Sequence, residues 1–114
     1  MNPPIGPMKT TIANGASLSG AVDTGGGTVC GIAMPGTWTT ANLTFQVSAD
    51  GATYQDLYDK GGTEYTVTAA ASRYIELPPA DFAGIRFLKV RSGTTGTAVN
   101  QADVRALLLN VRPV

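Results

Sequence analysis

Leu43-Thr44-Phe45-Gln46-Val47-Ser48-Ala49-Asp50-Gly51-Ala52-Thr53-Tyr54 is the stretch that decides the fold. Leu43, Phe45 and Val47 alternate with Thr44, Gln46 and Ser48. A period of two puts apolar side chains on one face of a strand and polar ones on the other. The run then enters Ala49-Asp50-Gly51-Ala52. Gly51 has no Cβ and can take positive φ, so Asp50 and Gly51 are expected to form a structural hairpin turn. The return strand would carry Tyr54, then Leu57 and Tyr58, and end at Lys60-Gly61-Gly62.

The same period recurs on either side. Tyr65 and Val67 alternate within 64–68, and a further strand is expected over 73–77. Pro78 and Pro79 then stop any ladder, because neither donates an N–H. Residues 80–84 read as one helical turn that tucks Phe82 beneath the sheets. In the strand expected over 85–91, Leu88 and Val90 mark one face, with Arg86 on that side nearer the strand end. Phe87, Lys89 and Arg91 mark the other. The last strand, 104–111, sets Leu107, Leu109 and Val111 against Ala106, Leu108 and Asn110. Both faces are largely apolar, so this strand is either central or covered by a partner. Two earlier strands are expected near 16–22 and 28–34. No window carries a helical stripe. About eight strands make the chain all-β, a single antiparallel β-sandwich or jelly roll.

Two segments stand outside this pattern. Residues 1–8 hold three prolines and read as an extended N-terminal arm that docks through Ile5 and Met8, leaving 9–114 as the sandwich domain. Residues 92–101 form a polar loop longer than a hairpin needs, ending in Asn100 and Gln101, and such loops often carry contacts.

Composition narrows the role. The 114 residues allow one domain, and 43% hydrophobic content is enough for a packed core. Eight Lys and Arg balance eight Asp and Glu, which removes the surplus positive charge that a nucleic-acid binder uses against phosphates. No apolar run approaches the roughly 20 residues of a membrane helix, and the first residues lack the apolar heart of a signal peptide. The expected site of synthesis is the cytoplasm, with no membrane partner. Cys30 has no second cysteine to bond and reads as a small buried hydrophobe.

The search for chemistry returns little. There is no histidine, which removes the commonest general base and most zinc sites. Ser48 and Ser92 have no base in sight, and Gly25-Gly26-Gly27 lacks the residues of a phosphate loop. Asp50, Asp56, Asp59 and Glu64 crowd one hairpin, where paired acids or a calcium site would be conceivable, but their spacing matches no EF-hand loop. We therefore expect no catalytic residue, no cofactor and no bound metal. Arg86, Lys89, Arg91, Arg105 and Arg112 face only Asp103 between residues 85 and 112. They form either a solvated sheet face or a basic patch for an acidic one on another copy or another protein. Trp38, Tyr54, Tyr58, Tyr65 and Tyr74 are expected in cross-strand packing, with a sugar-stacking platform as the alternative.

The pattern from Leu43 through Ser48-Ala49-Asp50-Gly51 to Tyr54, followed by Phe87-Leu88-Lys89-Val90-Arg91, resembles discoidin-like β-sandwiches. That resemblance implies a structural Asp-Gly turn and ligand binding through loops at one end. The chain as a whole also resembles small virion structural proteins of tailed bacteriophages and prophages. The shared features are Ile32-Ala33-Met34-Pro35 through Trp38, Ser48-Ala49-Asp50-Gly51, Arg91-Ser92-Gly93-Thr94, and Asn100-Gln101 before the final strand. This second resemblance implies a non-enzymatic protein of the virion, assembled in the host cytoplasm, that decorates or cements the capsid or anchors a fibre. Its partners would be the major capsid protein or a fibre, and other copies of itself. The contacts would fall to Ile5, Met8, Arg86, Lys89, Arg91, Asn100, Gln101 and Arg105, with a glycan-binding sandwich module as the alternative.

Overall fold

A computed structural model describes residues 6–113 and shows an antiparallel β-sandwich. The strands are β1 (Pro7–Ile12), β2 (Val22–Asp23), β3 (Thr28–Ala33), β4 (Leu43–Ser48), β5 (Tyr54–Asp56), β6 (Tyr74–Glu76), β7 (Phe87–Ser92) and β8 (Arg105–Arg112), with the short helix α1 (Pro79–Phe82) between β6 and β7. One sheet runs β1-β8-β3-β6 and the other β2-β7-β4-β5. The pairs β1–β8, β2–β7, β3–β6 and β4–β5 nest inside one another, as in a long hairpin rolled so that alternate pairs fall in opposite sheets. That connectivity is the jelly roll.

The alternation read from the sequence supplies the core. Ile12, Val29, Ile32, Leu107, Leu109 and Val111 point inward from the first sheet, and Val22, Leu43, Phe45, Leu88 and Val90 from the second. Phe82 is fully buried on α1 and meets Phe45 and Tyr65 edge to face, each with ring centroids 5.4 Å away. The prolines at 78 and 79 end the strand and start the turn that delivers this ring. β8 is central, hydrogen-bonded to β1 on one side and β3 on the other, and its Ala106 and Leu108 face outward.

Several expectations change. β1 begins at Pro7, so Pro7 and Met8 pair with Asn110 and Leu109 in the sheet and do not stand apart as an arm. Ile5 and the rest of 1–5 lie outside the described residues. The strand expected over 16–22 narrows to Val22–Asp23 and a single bridge from Leu18 to Arg91. The cause is Ser19, whose N–H donates to the Val90 carbonyl while its hydroxyl accepts from the Val90 N–H, so a side chain replaces one rung of the ladder. Residues 64–68 are extended but bonded through isolated bridges, Glu64 with Tyr58 and Val67 with Leu43. Cys30 is half-buried and not a core residue, because β3 bulges there: Val29 pairs with Val111 and Gly31 with Asn110, leaving Cys30 unpaired against β8. The bulge is what lets Val29 and Ile32, three apart, both face the core.

Candidate functional site

The outer face of the second sheet is polar, and it satisfies itself. By register Thr44 lies beside Arg91, Gln46 beside Lys89 and Ser48 beside Phe87. Arg91 points outward yet is only 7% exposed, since Glu64 and Thr95 close over it from their loops. Its guanidinium donates to Asp56, Glu64, Thr44 and Thr95. The hydrogen bond from Arg91 holds the Asp56 carboxyl below its ordinary range, with a smaller contribution from Gln46. Arg86 makes a forked pair with Asp23 at 2.8 and 3.2 Å and lies over the Phe87 ring, while the Lys89 ammonium sits 4.5 Å from the Tyr54 ring centroid. Of the basic residues, Arg91 thus meets the acids of the hairpin within one molecule, while Arg86 pairs with Asp23 at an exposed position.

The remaining acids of the hairpin are committed to turns. Asp50 accepts from the N–H groups of Ala52 and Thr53 and from the Ser48 hydroxyl, which together pull its carboxyl down to about 2. Gly51 has φ of +82°, and the Ser48 hydroxyl accepts its N–H. Asp59 accepts from Gly61 and Thr63. Among the described residues no group of three acids or cysteines stands together to hold a metal ion, and no pocket opens.

A second network closes one end of the sandwich, where the loops 13–21, 34–42, 57–73 and 93–104 gather. Arg105 follows the inward set of β8 and is 8% exposed. It donates to Gln101, Thr37 and Thr39 at 3.0, 2.9 and 3.2 Å. The Gln101 amide also accepts from the Thr39 N–H and donates to the Thr39 carbonyl and the Ser92 hydroxyl. These contacts staple loop 34–42 to loop 93–104. Gln101, Arg91 and Arg105 are therefore inner supports, buried too far to meet a partner. Asn100 is exposed at the loop end, Arg86 is exposed beside Asp23, and Lys89 is half-buried over Tyr54. Met8 is half-buried against the core.

The outer face of the first sheet is different in kind. Register places Lys9, Leu108, Ala33 and Tyr74 in one row across β1, β8, β3 and β6, with Pro7, Asn110, Gly31 and Glu76 in the next. Leu108 is 42% exposed and Tyr74 56%. The Tyr74 side chain lies along the sheet across β3, and its hydroxyl accepts from the Asn110 amide at 3.0 Å. Gly31 makes that path possible, because a Cβ there would stand 2.1 Å from the Tyr74 hydroxyl. Lys9 and Glu76, at opposite edges of the face, are exposed and form no ion pair among the described residues. Sequence reading flagged Leu108 through the apolar second face of β8. Tyr74 stood only among the aromatics weighed for sugar stacking, and Lys9, Gly31 and Glu76 were missed, because only strand order brings the four together.

The sheet edges are poor templates for adding a strand. β1 carries Pro7 and Lys9, and its Thr11 carbonyl already accepts from the Gly20 N–H. β2 has two residues and β5 and β6 three each. No protein-family model and no curated protein matches the chain.

Proposed function

We propose that the chain is a non-enzymatic structural protein of a tailed-phage virion, held in the particle by protein–protein contacts that depend on the outer face of the β1-β8-β3-β6 sheet. The observation that carries the choice of face is its contrast with the opposite one. On the second sheet Arg91 is enclosed by Asp56 and Glu64 and Lys89 lies over the Tyr54 ring, while the first leaves Leu108 and Tyr74 open between Lys9 and Glu76. An apolar centre with charges at its margin is how protein interfaces are composed. The jelly roll is shared by viral capsid and lectin domains, which is support by fold analogy. The sequence resemblance to virion structural proteins narrows that analogy to the particle.

The test is to purify particles from a host that produces the chain and quantify it by mass spectrometry across a density gradient. The expected result is co-sedimentation at a fixed ratio to the major capsid protein, lost in the Leu108→Glu variant. Recovery of the chain only from the soluble fraction would overturn the reading. A glycan-binding module is the second reading, and Tyr74 favours it: the ring is held in place by Gly31 and Asn110 and open to solvent. Titration with mono- and oligosaccharides that perturbs the Tyr74 resonances would select that reading over the first.

A further inference from the structure

We infer that the outer face of the β1-β8-β3-β6 sheet binds the same face of a second copy, about a two-fold axis running along the strands. The inference rests on the choice of face made above and names its occupant. It follows from the order of strands. A two-fold parallel to the strands reverses left and right, so β1 of one copy lies opposite β6 of the other, and β8 opposite β3.

The side chains on this face suit that operation. Lys9 on β1 comes opposite the row that ends in the partner's Tyr74, with the partner's Glu76 one row away. Arg112, outward on β8 and one row beyond Asn110, adds a second cation near the same carboxylate. The symmetry produces the contact twice, so every pairing of Lys9 with Glu76 counts double. In the middle, Leu108 of each copy meets Ala33 of the other, a large residue against a small one. A two-fold perpendicular to the strands would set β1 on β1 and bring Lys9 towards Lys9, which like charge disfavours. The blunted edges exclude the competing route of strand addition. Zero net charge leaves no overall repulsion between copies.

The experiment is sedimentation equilibrium of the full chain over a range reaching about 100 μM, with a charge-swap cycle, since double-mutant cycles isolate pairwise terms. Wild type is expected to dimerise. Lys9→Glu and Glu76→Lys should each weaken association by roughly 10-fold, because each places like charges together at two symmetric points. The double variant should recover most of the loss, and Leu108→Glu should be monomeric. All three substituted positions are exposed, and circular dichroism checks that each variant is folded. A monomer at every concentration overturns the inference. So does a dimer in which the double variant is as weak as the sum of the singles. If the chain is monomeric yet rides on particles in a Leu108-dependent way, the two-fold contact fails and the attachment reading stands. If the swap cycle behaves as expected but particles carry none of the chain, attachment fails and the two-fold contact stands.

Discussion

At the scale of single residues, the structure turns on positions where one atom more or less changes the outcome. Gly51 holds φ at +82°, and a Cβ there would also come within 3.2 Å of the Phe87 ring. Gly51→Val should therefore cost about 1–3 kcal/mol, from forcing a β-branched residue into the left-handed region. Urea denaturation measures it, and an unchanged midpoint would show that the turn relaxes at no cost. Arg91 is the second such position. Its head is buried beneath Glu64 and Thr95, and it holds two carboxylates that are themselves partly shielded. Arg91→Met keeps the stem but strands Asp56 and Glu64, and should destabilise the protein by about 3 kcal/mol, the usual result of breaking a shielded ion pair from one side. A loss below about 0.5 kcal/mol, the level of a surface pair, would show that water takes over from the guanidinium.

At the scale of elements, β1 changes the meaning of the N-terminus. Its six residues pair with β8 along their whole length, and Met8, Thr10 and Ile12 alternate inward. Removing residues 1–5 should leave the melting temperature within about 2 °C, because the ladder from Pro7 onward is intact. Removing 1–8 takes two ladder positions and the Met8 side chain, and should lower it by several degrees, since about 1 kcal/mol shifts a domain of this size by about 4 °C. Equal melting temperatures for the two truncations would show that β1 is held only by Lys9–Ile12. The bulge at Cys30 acts at the same scale: it keeps Val29 and Ile32 in the core and clears the surface at Gly31 on which Tyr74 rests.

At the scale of the whole molecule, acid sensitivity follows from the carboxylates. Asp23, Asp50 and Asp56 all have carboxyls held below the ordinary 3.8, chiefly by Arg86, by turn N–H groups and by Arg91 respectively. A lowered folded-state value means stability that is present above about pH 4 and lost as pH falls through the folded values, down to about 2 for Asp50. With no histidine in the chain, the urea midpoint should be flat from about pH 8 to 5 and then fall. Asp56→Asn should shrink the acid-dependent part. A midpoint that rises between pH 4 and 2 would contradict the Asp56–Arg91 pairing.

Local signals in the chain determined the sandwich and the inward faces of β4, β7 and β8, through period-two alternation. They determined the Asp50-Gly51 turn through a residue without a Cβ, and the helical turn that buries Phe82 through the prolines before it. These are local properties, written in residues that are neighbours along the chain. The fate of the charges was decided only by tertiary structure. Arg91 and Asp56 are 35 positions apart, and whether they pair within one molecule depends on β4 lying between β7 and β5. Arg105 and Gln101 read as surface groups because of their chemistry, but their strand phase and the loop 34–42 enclose them. The face that joins Lys9, Leu108, Tyr74 and Glu76 is likewise a product of strand order. Alternation says which side of a strand a residue takes, and it carries no information on which strand comes to lie beside it.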